Sequence, residues 1–88
     1  MAFYRRKPQM IEARLVFSYM EMPAIVGWIE ENGGRAVYGQ QEFGGAEILL
    51  TTASGMAIVR PGEYILRIGN GVFETCKVGV FEALYERA

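Results

Sequence analysis

Apolar and polar residues change their period several times along this chain, and each change marks an element. Over Met10–Ser18, Ile11, Ala13, Leu15 and Phe17 alternate with residues that include Glu12, Arg14 and Ser18. That period of two predicts a half-buried strand with the four apolar side chains on one face. Pro8 stands just before it, where a proline costs no ladder hydrogen bond. The period then lengthens. Met22, Ile25, Val26 and Ile29 recur at i, i+3, i+4 and i+7, the stripe of a helix of about three turns. Pro23 suits its first turn, because the missing N–H has no partner there anyway, and Gly33-Gly34 supplies the left-handed stop.

Short β-prone runs follow. Arg35–Gln40 (around Ala36, Val37 and Tyr38), Glu47–Thr52 and Met56–Val59 each predict a strand, with Glu42-Phe43-Gly44-Gly45 and Ser54-Gly55 between them. Arg60-Pro61-Gly62 is a turn signal, since proline presets φ at the second turn position and glycine accepts positive φ at the third. Glu63–Ile68 and Val72–Lys77 then form a hairpin through Gly69-Asn70-Gly71. If Asn70 is its centre, Glu63 opposes Lys77, Leu66 opposes Glu74 and Arg67 opposes Phe73. In Val78–Glu86, Phe81, Leu84 and Tyr85 fall on one side, as in a short helix packing back on the sheet. The order β-α-β-β-β-β-β-α predicts an α+β fold: a mostly antiparallel sheet of five to six strands, one central helix packed on a face and a short C-terminal helix.

Eighty-eight residues, 51 % of them hydrophobic, predict one folded domain over 1–88 rather than a disordered chain. A domain this size buries only about 60–65 % of its unfolded surface, so homo-oligomerisation would help its core. The formal net charge of −1 disfavours nucleic acid as a partner. Its distribution is uneven. Residues 1–20 carry Arg5, Arg6, Lys7 and Arg14 against Glu12, a balance of +3, whereas 21–50 carry Glu21, Glu30, Glu31, Glu42 and Glu47 against Arg35, a balance of −4. Such asymmetry can mark an interaction face, or only solvated surface.

One cysteine and no histidine leave little for metal or acid–base chemistry. A zinc site draws on several Cys and His, a catalytic triad needs its imidazole, and Cys76 has no partner for an internal disulfide, which suits a reducing compartment. Cys76 shares a strand face with Glu74 and Val72 rather than with its basic neighbour Lys77, so a core place suits it better than a nucleophile's. The glycines match neither a dinucleotide loop nor a Walker loop. No stretch is long and apolar enough for a membrane span, and no signal-type run follows the charged start. The expectation is a cytoplasmic protein that is not an enzyme, with no cofactor, metal or membrane partner.

What remains is binding. Tyr4, Arg5, Arg6 and Lys7, preceded by Phe3, combine basic and aromatic groups that can hold phosphate or a carboxylate. Trp28 lies off the main stripe, where an indole serves either an interface or a wider core contact. Glu30 and Glu31 sit near the helix C-terminus, where they mildly oppose the dipole, which hints at another use. Tyr38 and Phe43 flank the glycine-rich loop and could close a small pocket with Trp28. Arg60 is a further candidate cation.

Several of these residues also form a family pattern. Tyr4-Arg5-Arg6-Lys7-Pro8 followed by Ile11-Glu12-Ala13, Thr52 with Gly55, Pro61-Gly62-Glu63-Tyr64-Ile65, Gly71, Phe73, Cys76-Lys77, Phe81-Glu82 and Tyr85-Glu86 resemble a family of small phage and prophage proteins. That family typically opens Tyr-Arg-Lys-Lys-Pro, and its C-terminal third runs Pro-Gly-Asp-Tyr-Ile, Cys-Lys, Phe-Glu and Tyr-Glu. The chain departs at Glu74-Thr75 and Val78-Gly79, where the family tends to have Tyr-Pro and Pro-Asp. The resemblance carries no catalytic assignment. It implies a phage-encoded protein in the host-cell cytoplasm that inhibits a host defence or regulatory system, either by occluding a host protein or by sequestering a small nucleotide. The alternative is a structural, virion-assembly or self-assembling phage protein.

Overall fold

The structure, a computed structural model, describes residues 2, 11–41 and 45–86. Six strands and two helices follow in the order β1 (Glu12–Val16), α1 (Met22–Glu31), β2 (Ala36–Gln41), β3 (Gly45–Thr52), β4 (Gly55–Val59), β5 (Glu63–Gly69), β6 (Val72–Lys77) and α2 (Val78–Leu84), with a single 3₁₀ turn at Tyr19–Glu21 between β1 and α1. The class is α+β and every strand pair is antiparallel, as the sequence predicts.

The expected single sheet with one central helix on its face is instead two three-stranded sheets, ordered β1-β5-β6 and β2-β3-β4, and α1 meets strands of both. β2, β3 and β4 form a meander of sequence neighbours. After the Pro61-Gly62 turn, β5 pairs with β1 and not with β4. The Gly62 N–H donates to the Val16 carbonyl at 2.7 Å, which ties this turn to the end of β1. Both sheets and α1 send side chains into one core of Val16, Met22, Ile25, Trp28, Ile29, Ala36, Ala46, Ile48, Leu50, Val59, Ile65 and Phe73.

The α1 stripe behaves as its spacing requires: Met22, Ile25 and Ile29 are buried and Val26 packs at the margin. The helix ends in a Schellman arrangement. The Gly34 N–H donates to the Ile29 carbonyl at 2.9 Å and the Gly33 N–H to the Glu30 carbonyl at 3.1 Å, with Gly33 at φ +84°. The β5–β6 hairpin docks against this stop, because the Gly71 N–H donates to the Asn32 carbonyl at 2.8 Å. Its register matches the expected pairs, Glu63 with Lys77, Leu66 with Glu74 and Arg67 with Phe73. The turn itself differs from a simple Asn-Gly hairpin. Only Gly71 takes positive φ, and a register shift between Arg67 and Gly69 absorbs the extra residue.

Two expectations about faces are corrected. In β1 the residue that reaches the core is Val16, fully buried, while Ala13 and Leu15 are half-buried and Phe17 lies beyond the strand, 74 % exposed. The cause is the register. Arg14 pairs with Ile65 and Val16 with Glu63, so positions 12, 14 and 16 share the core-facing side with Ile65 and Phe73. Ala13 and Leu15 share the opposite side with Leu66 and Tyr64, so this sheet carries apolar residues on both faces. In α2, Phe81 is half-buried, stacked 3.9 Å from Tyr64 and 5.0 Å from Tyr85 between ring centroids. Leu84 is 69 % exposed and no α2 residue is buried, so the helix holds to the sheet through one aromatic stack. Cys76, opposite Tyr64, is likewise only half-buried and does not join the core.

Candidate interaction surface

The chain leaves its most conspicuous apolar side chains in the connection from β1 to α1. Val16 anchors the end of the strand in the core and Met22, also fully buried, anchors the start of the helix. Between them the backbone turns tightly: the Glu21 N–H donates to the Ser18 carbonyl at 3.2 Å, and the Phe17 N–H donates to the Glu21 carboxylate at 3.4 Å. With both ends fixed, the intervening side chains point outward. Phe17, Tyr19 and Met20 are 74 %, 58 % and 77 % exposed.

Beside them lies a groove of about 570 Å³ lined by Arg14, Leu15, Met20, Glu21, Ala24 and Ile25. Its walls are apolar and its charged groups, Arg14 and Glu21, are of opposite sign. Arg14 is held in place from below, since its guanidinium carbon lies 4.7 Å from the centroid of the Trp28 ring, a cation–π distance. Trp28 meets Phe73 edge to face at 5.4 Å, and its Nε1 has no hydrogen-bond partner among the described residues. The indole is therefore a core residue that positions a surface arginine, not an exposed contact.

The other expected site residues do not converge. Tyr4, Arg5, Arg6 and Lys7 lie outside the described residues, as does Phe43 of the suggested Trp28–Tyr38 pocket. Tyr38 faces inward, opposite Ile48, and packs against the core cluster. Glu30 and Glu31 are exposed at the C-terminal end of α1, where Glu30 borders a shallow depression shared with Gly34, Arg35, Ala36 and Val37. Arg60 is 62 % exposed and stands 3.6 Å from the Glu47 carboxylate. That separation suits Coulomb attraction but is too long for a hydrogen bond, consistent with a Glu47 Oε2 that has no hydrogen-bond donor among the described residues. Arg67 is similarly engaged, bonded to Glu12 at 3.3 Å and to Asn70 at 2.8 Å. Arg14 offers its charge at the mouth of a groove.

Alternation alone places Phe17 on the inner face of its strand and gives Met20 no role. The available signal was the run Phe17-Ser18-Tyr19-Met20, three large apolar residues packed into the few positions between a strand and Pro23. No group of three or more metal-ligating side chains occurs among the described residues, and none of their helices is long and apolar enough to cross a membrane. Comparison of the chain with family models, curated proteins and solved structures found no match. The phage-like pattern therefore stands on the sequence motifs alone.

Proposed function

We propose that this chain is a non-enzymatic binding protein that acts by covering part of a protein partner, with the β1–α1 junction as its contact. The observation that carries this reading is the trio Phe17, Tyr19 and Met20, each more than half exposed, beside a groove whose floor is apolar. Clustered exposure of this kind marks interaction sites. Aromatic and methionine side chains are what interface centres favour, the first for contact area and the second for adaptable packing. The fitting partner segment places an apolar anchor in the groove and a carboxylate against Arg14. The phage-like motifs supply the setting in which occlusion would act, namely a host defence or regulatory protein. Nucleotide sequestration draws less support, because Arg60 already faces Glu47. A second reading, self-assembly, is favoured by the uncharged edge of β4.

The test is capture of partners from bacterial lysate at low salt by the tagged chain, followed by native mass spectrometry. A specific host protein should be retained by the parent chain and by Glu31→Lys, and lost with Phe17→Asp or Met20→Asp, which alter exposed positions and leave the fold intact. Retention undiminished by both aspartates would overturn this contact. A small-molecule adduct in place of a protein would instead favour sequestration.

A further inference from the structure

We propose that two copies of this chain pair through the free edge of β4, forming an antiparallel two-fold dimer whose central sheet has six strands. The starting observation is a contrast among the four sheet edges. The β1 edge carries Glu12 and Arg14, the β6 edge carries Glu74 and Lys77 and runs into α2, and β2 lies against α1. Charges and covering elements of this kind keep edge strands from recruiting others. Among the described residues β4 has none of them. Its sequence Gly55-Met56-Ala57-Ile58-Val59 contains no charge and no proline, its pairing with β3 is free of bulges, and no described strand lies beyond it.

The side chains of this strand point to a second copy as the occupant. Pairing aligns Val37, Leu49 and Ile58 in one row across the outer face of the β2-β3-β4 sheet. Val37 and Ile58 are 60 % and 47 % exposed, and Met56, next along β4 on the same face, is 66 % exposed. Centred on Ala57, a two-fold places Met56 opposite the second copy's Ile58 and Ile58 opposite its Met56, and so extends each sheet's apolar row by one strand, to the other copy's Met56, beyond which lies Thr51. The small Ala57 faces its own counterpart. Charge permits this register. Each Arg60 falls opposite Ser54, and the two arginines sit at opposite ends of the new ladder, about 20 Å apart at the usual strand rise. Like charges opposed across a ladder are destabilising; this register opposes none. It pairs the outer backbone groups of β4 that no described strand takes up, and enlarges a small core. This inference is independent of the β1–α1 groove, which lies on other elements.

The test is the mass of the purified full chain across the micromolar range, by light scattering and sedimentation equilibrium. The expected mass is twice the 9.9 kDa of the chain. Met56→Lys with Ile58→Lys sets two lysines opposite each other at both cross-strand pairs and should return the monomer with its circular dichroism unchanged. Val37→Lys, on the far strand of the same face, should leave the dimer intact. Ala57→Cys in a Cys76→Ser background should form an intermolecular disulfide on mild oxidation, which the parent chain and Cys76→Ser alone do not form at that position. A parent chain that stays monomeric throughout would overturn the proposal. So would a dimer that survives both lysines, or one abolished by Val37→Lys, which would indicate face-to-face stacking. A monomer whose β4 edge captures a foreign protein, with capture lost on Ile58→Lys, would transfer the edge to another partner and equally refute the dimer.

Discussion

A methyl group built on Gly34 would lie 2.6 Å from two ring carbons of Phe73 and 2.7 Å from Cγ2 of Ile29. Both neighbours belong to the core, so neither can swing aside without disturbing it. Gly71 is constrained twice, by φ +74° and by the Gly33 carbonyl oxygen 2.9 Å from where a Cβ would stand. Gly27, inside α1, meets nothing within 4 Å. The three positions therefore separate by sign. Gly34→Ala should cost about 1–3 kcal/mol through overpacking, and Gly71→Ala a similar amount through strain and contact. Gly27→Ala should stabilise by about 0.5–1 kcal/mol by removing backbone freedom from the unfolded chain. Urea denaturation of the three variants checks all of this. The Glu12–Arg67 pair belongs to the same scale. Half of the Glu12 side chain is exposed, so Glu12→Gln should change stability by no more than about 1 kcal/mol.

Among the elements, α2 and β6 make the sharpest comparison. Phe73 of β6 is fully buried and touches Trp28, whereas Phe81 of α2 only stacks between two tyrosines on an open face. Phe73→Ala should cost about 3–5 kcal/mol. Phe81→Ala should cost far less globally while releasing α2, read as faster amide exchange confined to 78–84. The elements legible in the sequence were those set by local signals. The α1 stripe, the Gly33-Gly34 stop, the Pro61-Gly62 turn and the register of the last hairpin depend on near neighbours, and each follows from spacing or from the φ a residue allows. The facing of β1 was not legible in that way. Ala13 and Leu15 are apolar because the outer side of their sheet is partly covered, while Val16 enters the core from the side shared with two charged residues. Only the pairing with β5 reveals which face is inner, and that pairing is distant in sequence. The same distance hid the division into two sheets. The candidate surface was obscured for a related reason: alternation groups Phe17 with Ala13 and Leu15 on what reads as the inner face, whereas the inner face is that of Val16 and the chain beyond it bends into a 3₁₀ turn.

At the scale of the whole molecule, the two sheets differ in how they close. β2, β3 and β4 pair with their sequence neighbours, and α1 packs on them directly from the preceding segment. β1 must find β5 across nearly everything between Val16 and Glu63. Loop-closure entropy makes such a contact late, because its cost precedes any gain from pairing. Truncations in the meander, Ile48→Ala or Leu50→Ala, should slow refolding. Val16→Ala should leave refolding nearly unchanged and speed unfolding, so that a chevron plot separates the two classes. While the ribosome has yet to release Glu63, β1 lacks its β5 partner, so it waits as an open template until β5 arrives.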